Sequence, residues 1–417
     1  MNNSAPRILI VVNVFRPDLG GGVLFADLAD GLAERGIQLV VKCAFPYYPQ
    51  WADVSGQNGF RISKDANEGY AVERHGIFIP SKPNSFFQRL IYEASFFLSL
   101  MRNRPKKGDF DAILVFSPLI GSVAYATWVG TRSSTPVWLN VQDLSAQAAS
   151  AGGISKGNTA SGLLIRIQNA VFRRAAFWSS ISKPMVDTLK EIPGAPSHVS
   201  LLPNWLHVSL EREIATFSNL PKRVLNATVH LLYSGNIGGK QNLVEFCRQL
   251  HHSKLDFNFR IQGEGARLPD LKKLLQEIAD PRFELHPLSD EANLAKALHD
   301  ADFYVITEKP DAGNSFIPSK LIPGIASRTP ILAVCDLEGP LGQEVQEFDL
   351  GIHIPWPSLS QIDLFINQIV ENPSQHASWQ TNAATRAVFY NRKSGIDRSV
   401  GMINRIMESS EKRNSDG

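Results

Sequence analysis

The stretch Ile306–Val334, ITEKPDAGNSFIPSKLIPGIASRTPILAV, decides how the rest of the chain is read. An apolar run gives way to a polar loop bearing Gly313, a short helix is expected to start at Pro318, and a second apolar run follows at Pro330–Val334. Strand, loop, helix and strand in that order form a parallel βαβ unit. Proline suits a helix start because its missing N–H would lack an intrahelical partner there anyway. The remaining first amides are also unpaired and lie at the positive end of the helix dipole, which makes such a turn an anion site. With Lys320 expected one turn into the helix, the segment reads as a cradle for a diphosphate.

The same alternation extends in both directions. Toward the N-terminus of this half it predicts strand His230–Tyr233, helix Gln241–His251, strand Phe257–Gln262, helix Arg267–Ile278, strand Phe283–Leu285, helix Asp290–Asp300 and strand Phe303–Ile306. Ser289 is the expected cap of the Asp290 helix. The first half predicts strands at Arg7–Val14, Gln38–Ala44, Ala112–Phe116 and Val137–Val141, with a helix at Val23–Arg35 closed by Gly36. The pattern breaks between Val208 and Thr228, around Pro221. The expected fold class is α/β: two Rossmann-like, doubly wound parallel-sheet domains facing across a cleft. They span residues 1–207 and 229–385, with a hinge at 208–228, a C-terminal helix at 386–407 packing back on the first domain, and a disordered tail at 408–417. Ligands of such sheets sit beyond the C-terminal strand ends, so the loops that follow strands carry the chemistry.

Bulk properties narrow the function. A length of 417 residues favours two domains. With 43% hydrophobic and 20% charged residues the composition is that of a soluble globular protein, and no apolar run reaches a membrane span. The N-terminus runs straight into a β-branched stretch, so it reads as a first strand and not as a signal peptide. Cys43, Cys247 and Cys335 lack the spacing of a zinc site or disulfide framework, and a reduced, cytoplasmic protein is expected. A net charge of +2 argues against nucleic acid as a partner. The charge is uneven: Met1–Trp205 carries 20 Lys and Arg against 14 Asp and Glu, leaving 22 against 26 in the remainder. That excess in the first half suits an anionic partner there, a membrane surface or a phosphate-bearing acceptor; scattered surface cations are the plainer reading.

Three glycine-bearing turns follow strands. Asn13–Gly22, NVFRPDLGGG, places Gly20, Gly21 and Gly22 at a helix start, where backbone can approach a sugar or phosphate closely. It lacks the dinucleotide fingerprint, and a simple connection would use the same residues. YSGNIGGKQNL sets Gly235, Asn236, Gly238 and Gly239 after a strand with Lys240 before the helix, a phosphate-binding arrangement. IQGEGARL sets Gly263, Glu264 and Gly265 at the next strand end, with Glu264 able to accept hydrogen bonds from a ribose or base. Each turn alone also fits an ordinary strand-to-helix connection.

Asp109-Phe110-Asp111 imitates a DxD metal motif but precedes its strand, at the end away from the expected cleft. No other cluster has ligand spacing, so no metal or other cofactor is expected. Ser81–Lys107 mixes aromatic and aliphatic residues with Arg89, Arg102, Arg104, Lys106 and Lys107. It reads either as a crossover helix with a core stripe or as an amphipathic helix for an anionic membrane. Gln142 and Asp143, at the end of VWLNVQDLSAQ, are candidates to bind an acceptor and take its hydroxyl proton; capping is the alternative for Asp143.

Together these segments, with SISKPM, LLPNW and LSDEANLAKALHDAD, resemble the retaining glycosyltransferases of family four, which have the GT-B fold. The resemblance runs from about Arg7 to Met402. Within the family, GNIG, PNW, QDL and PSK look most like the branch building bacterial O-antigen, capsule and exopolysaccharide, N-acetylfucosamine transferases included. The resemblance implies a nucleotide diphosphate sugar as donor substrate in the second domain, a glycan or lipid-linked acceptor in the first, and transfer with retention. Donor-binding positions so implied are Gly235, Asn236, Gly238, Gly263, Glu264, Gly265, Leu288, Asp311, Ser315, Pro318 and Ser319; Asp143, Lys240 and Lys320 are the catalytic candidates. Asn236 occupies the family's arginine place, Lys240 is roughly in register with its lysine, and Lys320 is the candidate for the missing charge. The paired glutamates fall on Ser315 and Pro323 by one count, and the first of them on Asp311 by another. The frequent strand-end histidine is Gln142 here. A nucleotide-sugar epimerase would carry more cleft carboxylates and histidines than this chain; a catalytically silent nucleotide-sugar-binding partner remains an alternative.

Overall fold

The computed structural model describes residues 5–67, 69–83, 85–143, 159–310 and 317–415. Two compact units divide the chain, residues 1–203 with 395–417, and residues 204–394.

The first unit holds strands β1 (Arg7–Val11), β2 (Gln38–Ala44), β3 (Ile62–Asn67), β4 (Tyr70–His75), β5 (Ala112–Phe116), β6 (Val137–Val141), β7 (Phe177–Ser180) and β8 (Val199–Leu201). They form one sheet in the order β3-β4-β2-β1-β5-β6-β7-β8, parallel except for the β3–β4 pair. AILVF and VWLNV, in β5 and β6, are buried at every position, as strands covered on both faces must be. Order reverses between β1 and β5, so the loops after those strands flank a topological switch point.

A polar network crosses this unit. Lys42 of β2 is paired with Glu73 of β4, His75 Nε2 meets the same Glu73 oxygen at 2.7 Å, and Lys42 Nζ donates to the Asn103 carbonyl at 2.6 Å. Burial alone would raise the Glu73 carboxyl; hydrogen bonds from His75 and Lys42 overcome it and hold the group down to about 2.

The helix Phe86–Met101 buries Tyr92, Phe96, Ser99 and Leu100. Its opposite side is apolar as well: Phe86, Phe87, Leu90, Ile91 and Leu98 are exposed, Phe87 at 74% and Leu98 at 63%. One face is therefore packed, as in a crossover helix, and the other is presented outward.

The second unit holds β9 (Val229–Asn236), β10 (Phe257–Glu264), β11 (Phe283–His286), β12 (Phe303–Thr307), β13 (Ile331–Val334) and β14 (Gly351–Ile354). Its all-parallel sheet has the order β11-β10-β9-β12-β13-β14. Side chains alternate between two cores: Leu231, Tyr233, Val305, Leu332 and Val334 enter one, while Leu232, Tyr304, Ile306, Ile331 and Ala333 enter the other. The switch point here lies between β9 and β12.

Several boundaries differ from expectation. The division between units falls at 203/204, so residues 208–228 lie within the second unit, where Val208–Thr216 is a helix with Leu210 and Ile214 buried. Lys222 Nζ then donates to the Leu298 carbonyl and Thr329 Oγ1, both at 2.9 Å, and Arg223 pairs with Asp302. Asp290, not Ser289, caps its helix, its carboxylate accepting from the Asn293 amide at 2.8 Å. The final helix spans Arg392–Ser415, so the segment expected as a disordered tail continues the helix as far as Ser415. Ile396, Met402, Ile403 and Ile406 of this helix are buried, and Arg35 pairs with Asp397.

Candidate active site

In the second unit the C-terminal ends of β9, β10 and β12 meet. Gly235 and Asn236 pair in register with Gly263 and Glu264, and that spacing leaves no room for a side chain at Gly263. A Cβ on Gly263 would stand 2.2 Å from the Gly235 carbonyl oxygen, and one on Gly265 2.5 Å from that of Ile237. Gln241 ties the turn together, its Oε1 accepting from Asn236 Nδ2 at 3.2 Å and from the Gly238 amide at 3.1 Å. Thr307 Oγ1 at the end of β12 donates to the Gln241 carbonyl at 2.5 Å.

Into this turn comes Lys320. Its Nζ donates to the Asn236 carbonyl at 3.4 Å, and a Cβ on Gly235 would stand 2.9 Å from its Cε. Burial draws the ammonium down to about 7, with Glu308 opposing the shift. Glu308 directly follows β12, and burial together with the charge of Asp336 pushes its carboxyl up to about 7 against Lys240 and Lys320. Among the described residues no carboxylate forms an ion pair with Lys320, and a cation so held beside a carboxyl pushed up to about 7 favours an incoming anion.

The expected helix start needs correction. The helix spans only Leu321–Ala326, so Pro318 and Ser319 precede it and Lys320 stands at its cap, not one turn inside. Pro318 instead closes a turn, its carbonyl accepting from the Leu321 amide at 2.9 Å. The exposed Lys240 shares the turn, its carbonyl accepting from the Lys309 amide at 2.7 Å. Glu264 is exposed and so is Leu288, which sits in the loop after β11. Asp311 and Ser315 lie outside the described residues. Glu308 and Gln241 escaped the sequence reading; the available signal for Glu308 was a charge immediately after the apolar run FYVIT.

In the first unit Gly20 caps the helix Gly21–Glu34 with a φ of 63°, and Gly21 and Gly22 form its first turn. Gln142 Nε2 donates to Asn140 Oδ1 at 2.6 Å, and the Asp143 carbonyl accepts from Ser117 Oγ at 3.3 Å, both at C-terminal strand ends. At the other edge, Asp111 is occupied by Arg7, whose amide donates to it at 2.8 Å. Among the described residues no group of His, Cys, Asp and Glu has the geometry of a metal site.

Residues 20–205 match the glycosyl transferase 4-like domain. These residues are thus a glycosyl transferase 4-like domain, and the two parallel-sheet α/β units have the GT-B fold of the solved structures below. The chain is 27% identical over 364 residues to a chain assigned as the colanic acid biosynthesis glycosyl transferase WcaI of Escherichia coli (strain K12), covering 82% of this chain and 86% of that one. Among solved structures it is similar to sucrose-phosphate synthase from Thermosynechococcus elongatus, with a TM-score of 0.70, 14% identity, and coverage of 97% and 100% of the two chains. Anabaena HepE in complex with UDP and glucose is similar with a TM-score of 0.63, 12% identity, and coverage of 96% and 99%.

Proposed function

We propose that the protein transfers a sugar from a nucleotide diphosphate sugar to a hydroxyl of a glycan or lipid-linked acceptor, with retention and without a metal, in the synthesis of a cell-surface polysaccharide. The observation that carries this reading is Lys320, a cation seated against the Gly235–Asn236 turn at the switch point of the second sheet. Negative charge grows on the departing diphosphate as the glycosidic bond breaks, and a preorganised cation there lowers that barrier. Lys240 adds charge from the same turn. With the leaving phosphate so held, one of its oxygens takes the acceptor proton on the face it leaves, which gives retention without a carboxylate nucleophile. The acceptor belongs to the first unit, where Gly20–Gly22, Gln142 and Asp143 lie at C-terminal strand ends. The relative assigned to colanic acid biosynthesis supports the polysaccharide setting. No helix among the described residues is long and apolar enough to cross a membrane; the outward apolar face of Phe86–Met101 supports peripheral contact with the cytoplasmic leaflet.

Incubating the purified protein with a panel of UDP, GDP and ADP sugars, with and without membrane extract, tests this. Nucleotide release that depends on the extract is expected with one donor. Binding without release would favour the silent partner, and no binding of any member would overturn the proposal.

A further inference from the structure

The loop Phe45–Ala52, FPYYPQWA, leaves the C-terminal end of β2 and is fastened to the glycine turn by one carboxylate. Asp18, 2% exposed, accepts hydrogen bonds at Oδ1 from the amides of Tyr47 and Tyr48, each at 2.9 Å. Gly22 makes room for it, since a Cβ there would stand 2.9 Å from Asp18 Cβ and 3.2 Å from the Phe15 carbonyl carbon. The loop brings Tyr48 over Gly20, 3.7 Å from where a Cβ would be.

Trp51 holds a φ of 52°, a left-handed conformation that costs a bulky residue free energy. Its ring lies edge-on to those of Tyr47, Tyr48 and Tyr92, with centroids 5.7, 6.0 and 5.9 Å away. Tyr47 and Tyr92 are buried and anchored, their hydroxyls accepting from Asn13 Nδ2 at 3.0 and 3.2 Å. Trp51 and Tyr48 are the outer members, half-buried and 36% exposed respectively. Two anchored aromatics thus brace two accessible ones, and the bracing is set against backbone strain.

We propose that Trp51 and Tyr48 form a stacking platform for a pyranose ring of the acceptor glycan, with Asp18 as the positioning residue that fixes the loop. A pyranose presents an apolar face of axial C–H groups that an aromatic face covers, while its hydroxyls stay with polar groups and water. The loop follows β2, next to β1 and its glycine turn in the sheet, at the edge where ligands of parallel sheets collect. This inference rests on the proposed function in placing an acceptor sugar on the first unit.

Saturation-transfer NMR on the full chain tests it, using the methyl pyranosides of glucose, galactose, fucose and N-acetylglucosamine, beside calorimetry with UDP, GDP and ADP. At least one pyranoside should receive saturation, more on its ring C–H protons than on the O-methyl group. Loss of stacking in Trp51→Leu and Tyr48→Ala should reduce that signal about fivefold. Trp51→Phe, which keeps an aromatic face, should retain it. Asp18→Asn keeps an acceptor for the two loop amides and should retain the signal; Asp18→Ala should lose it with nucleotide binding unchanged. No saturation in the wild type, or full signal in Trp51→Leu and Tyr48→Ala, would overturn the platform. Nucleotide binding without pyranoside binding removes the platform and leaves the donor site standing, and the reverse result does the opposite.

Discussion

The ammonium of Lys320 rests 3.6 Å from the centroid of the Tyr233 ring, and the hydroxyl of that ring donates to the Asn236 carbonyl at 2.5 Å. One tyrosine thus supplies a π face for the cation and fixes the carbonyl that shares it. Dipoles and a quadrupole hold the charge, leaving it available to a phosphate.

Replacing Lys320 with methionine keeps the apolar stem over Tyr233 and removes the charge. Charge-assisted hydrogen bonds contribute about 1.5–3 kcal/mol, so affinity for the cognate nucleoside diphosphate should fall about 10- to 100-fold. Since the Lys320 ammonium and the Glu308 carboxyl both titrate at about 7, binding of an anion raises both and draws protons from solution above pH 7. Calorimetry in buffers of different ionisation enthalpy should show net uptake at pH 8, reduced in Lys320→Met. Equal uptake in both proteins would exclude Lys320 from the site.

Gly263 and Gly239 separate packing from mere flexibility in the turns at the ends of β9 and β10. Gly263→Ala drives a Cβ to 2.2 Å from the Gly235 carbonyl oxygen, whereas a Cβ on Gly239 meets nothing within 4 Å. Urea denaturation should show Gly263→Ala less stable by about 1–3 kcal/mol, with Gly239→Ala near wild type.

Glu73→Ala leaves Lys42 buried without its carboxylate. Removing one partner of a buried pair costs about 3–5 kcal/mol, readable by denaturant titration. Because Glu73 is held at about 2 against an ordinary 4.5, its stabilisation is present above pH 4.5 and fades as pH falls through 2. The variant should therefore lose less stability on acidification than the wild type.

The outward face of Phe86–Met101 should bind anionic bilayers. Ser81–Lys107 holds six Lys and Arg against the single Glu93, so apolar insertion and surface potential act together. Vesicles containing phosphatidylglycerol should sediment the wild type more than phosphatidylcholine vesicles do, and Phe87→Ser with Leu90→Ser should abolish the difference. Self-association of the wild type, removed by the same changes, would assign the face to a second copy instead.

Five of the six strands of the second sheet were legible because they are largely apolar and because β9 and β10 run into glycine turns, YSGNIGG and IQGEG; β14 was not predicted. The edge hairpin of β3 and β4 was not, since ISKDAN and YAVERH carry charges whose partners lie on neighbouring strands, Glu73 with Lys42 and Lys64, and Arg74 with Asp65. β7 escaped because FWSS ends in two serines buried by side-chain partners, Ser179 Oγ accepting from Trp138 Nε1 at 2.8 Å. Lys320 stood out in the sequence through PSK, but its contact with Tyr233 did not. That contact joins residues 87 positions apart, across three intervening helix–strand repeats, and local pattern carries no distance of that kind. Glu308 was missed because the family's glutamates are counted later in the loop.

The last helix, Arg392–Ser415, has a consequence for synthesis. Gly395–Gly417 belongs with residues 1–203, while residues 204–394 form the other unit. A nascent chain emerging from the ribosome thus releases the whole second unit before the first can acquire its final helix. The N-terminal half waits for that helix, and loss of Gly395–Gly417 should be felt first by the part translated earliest.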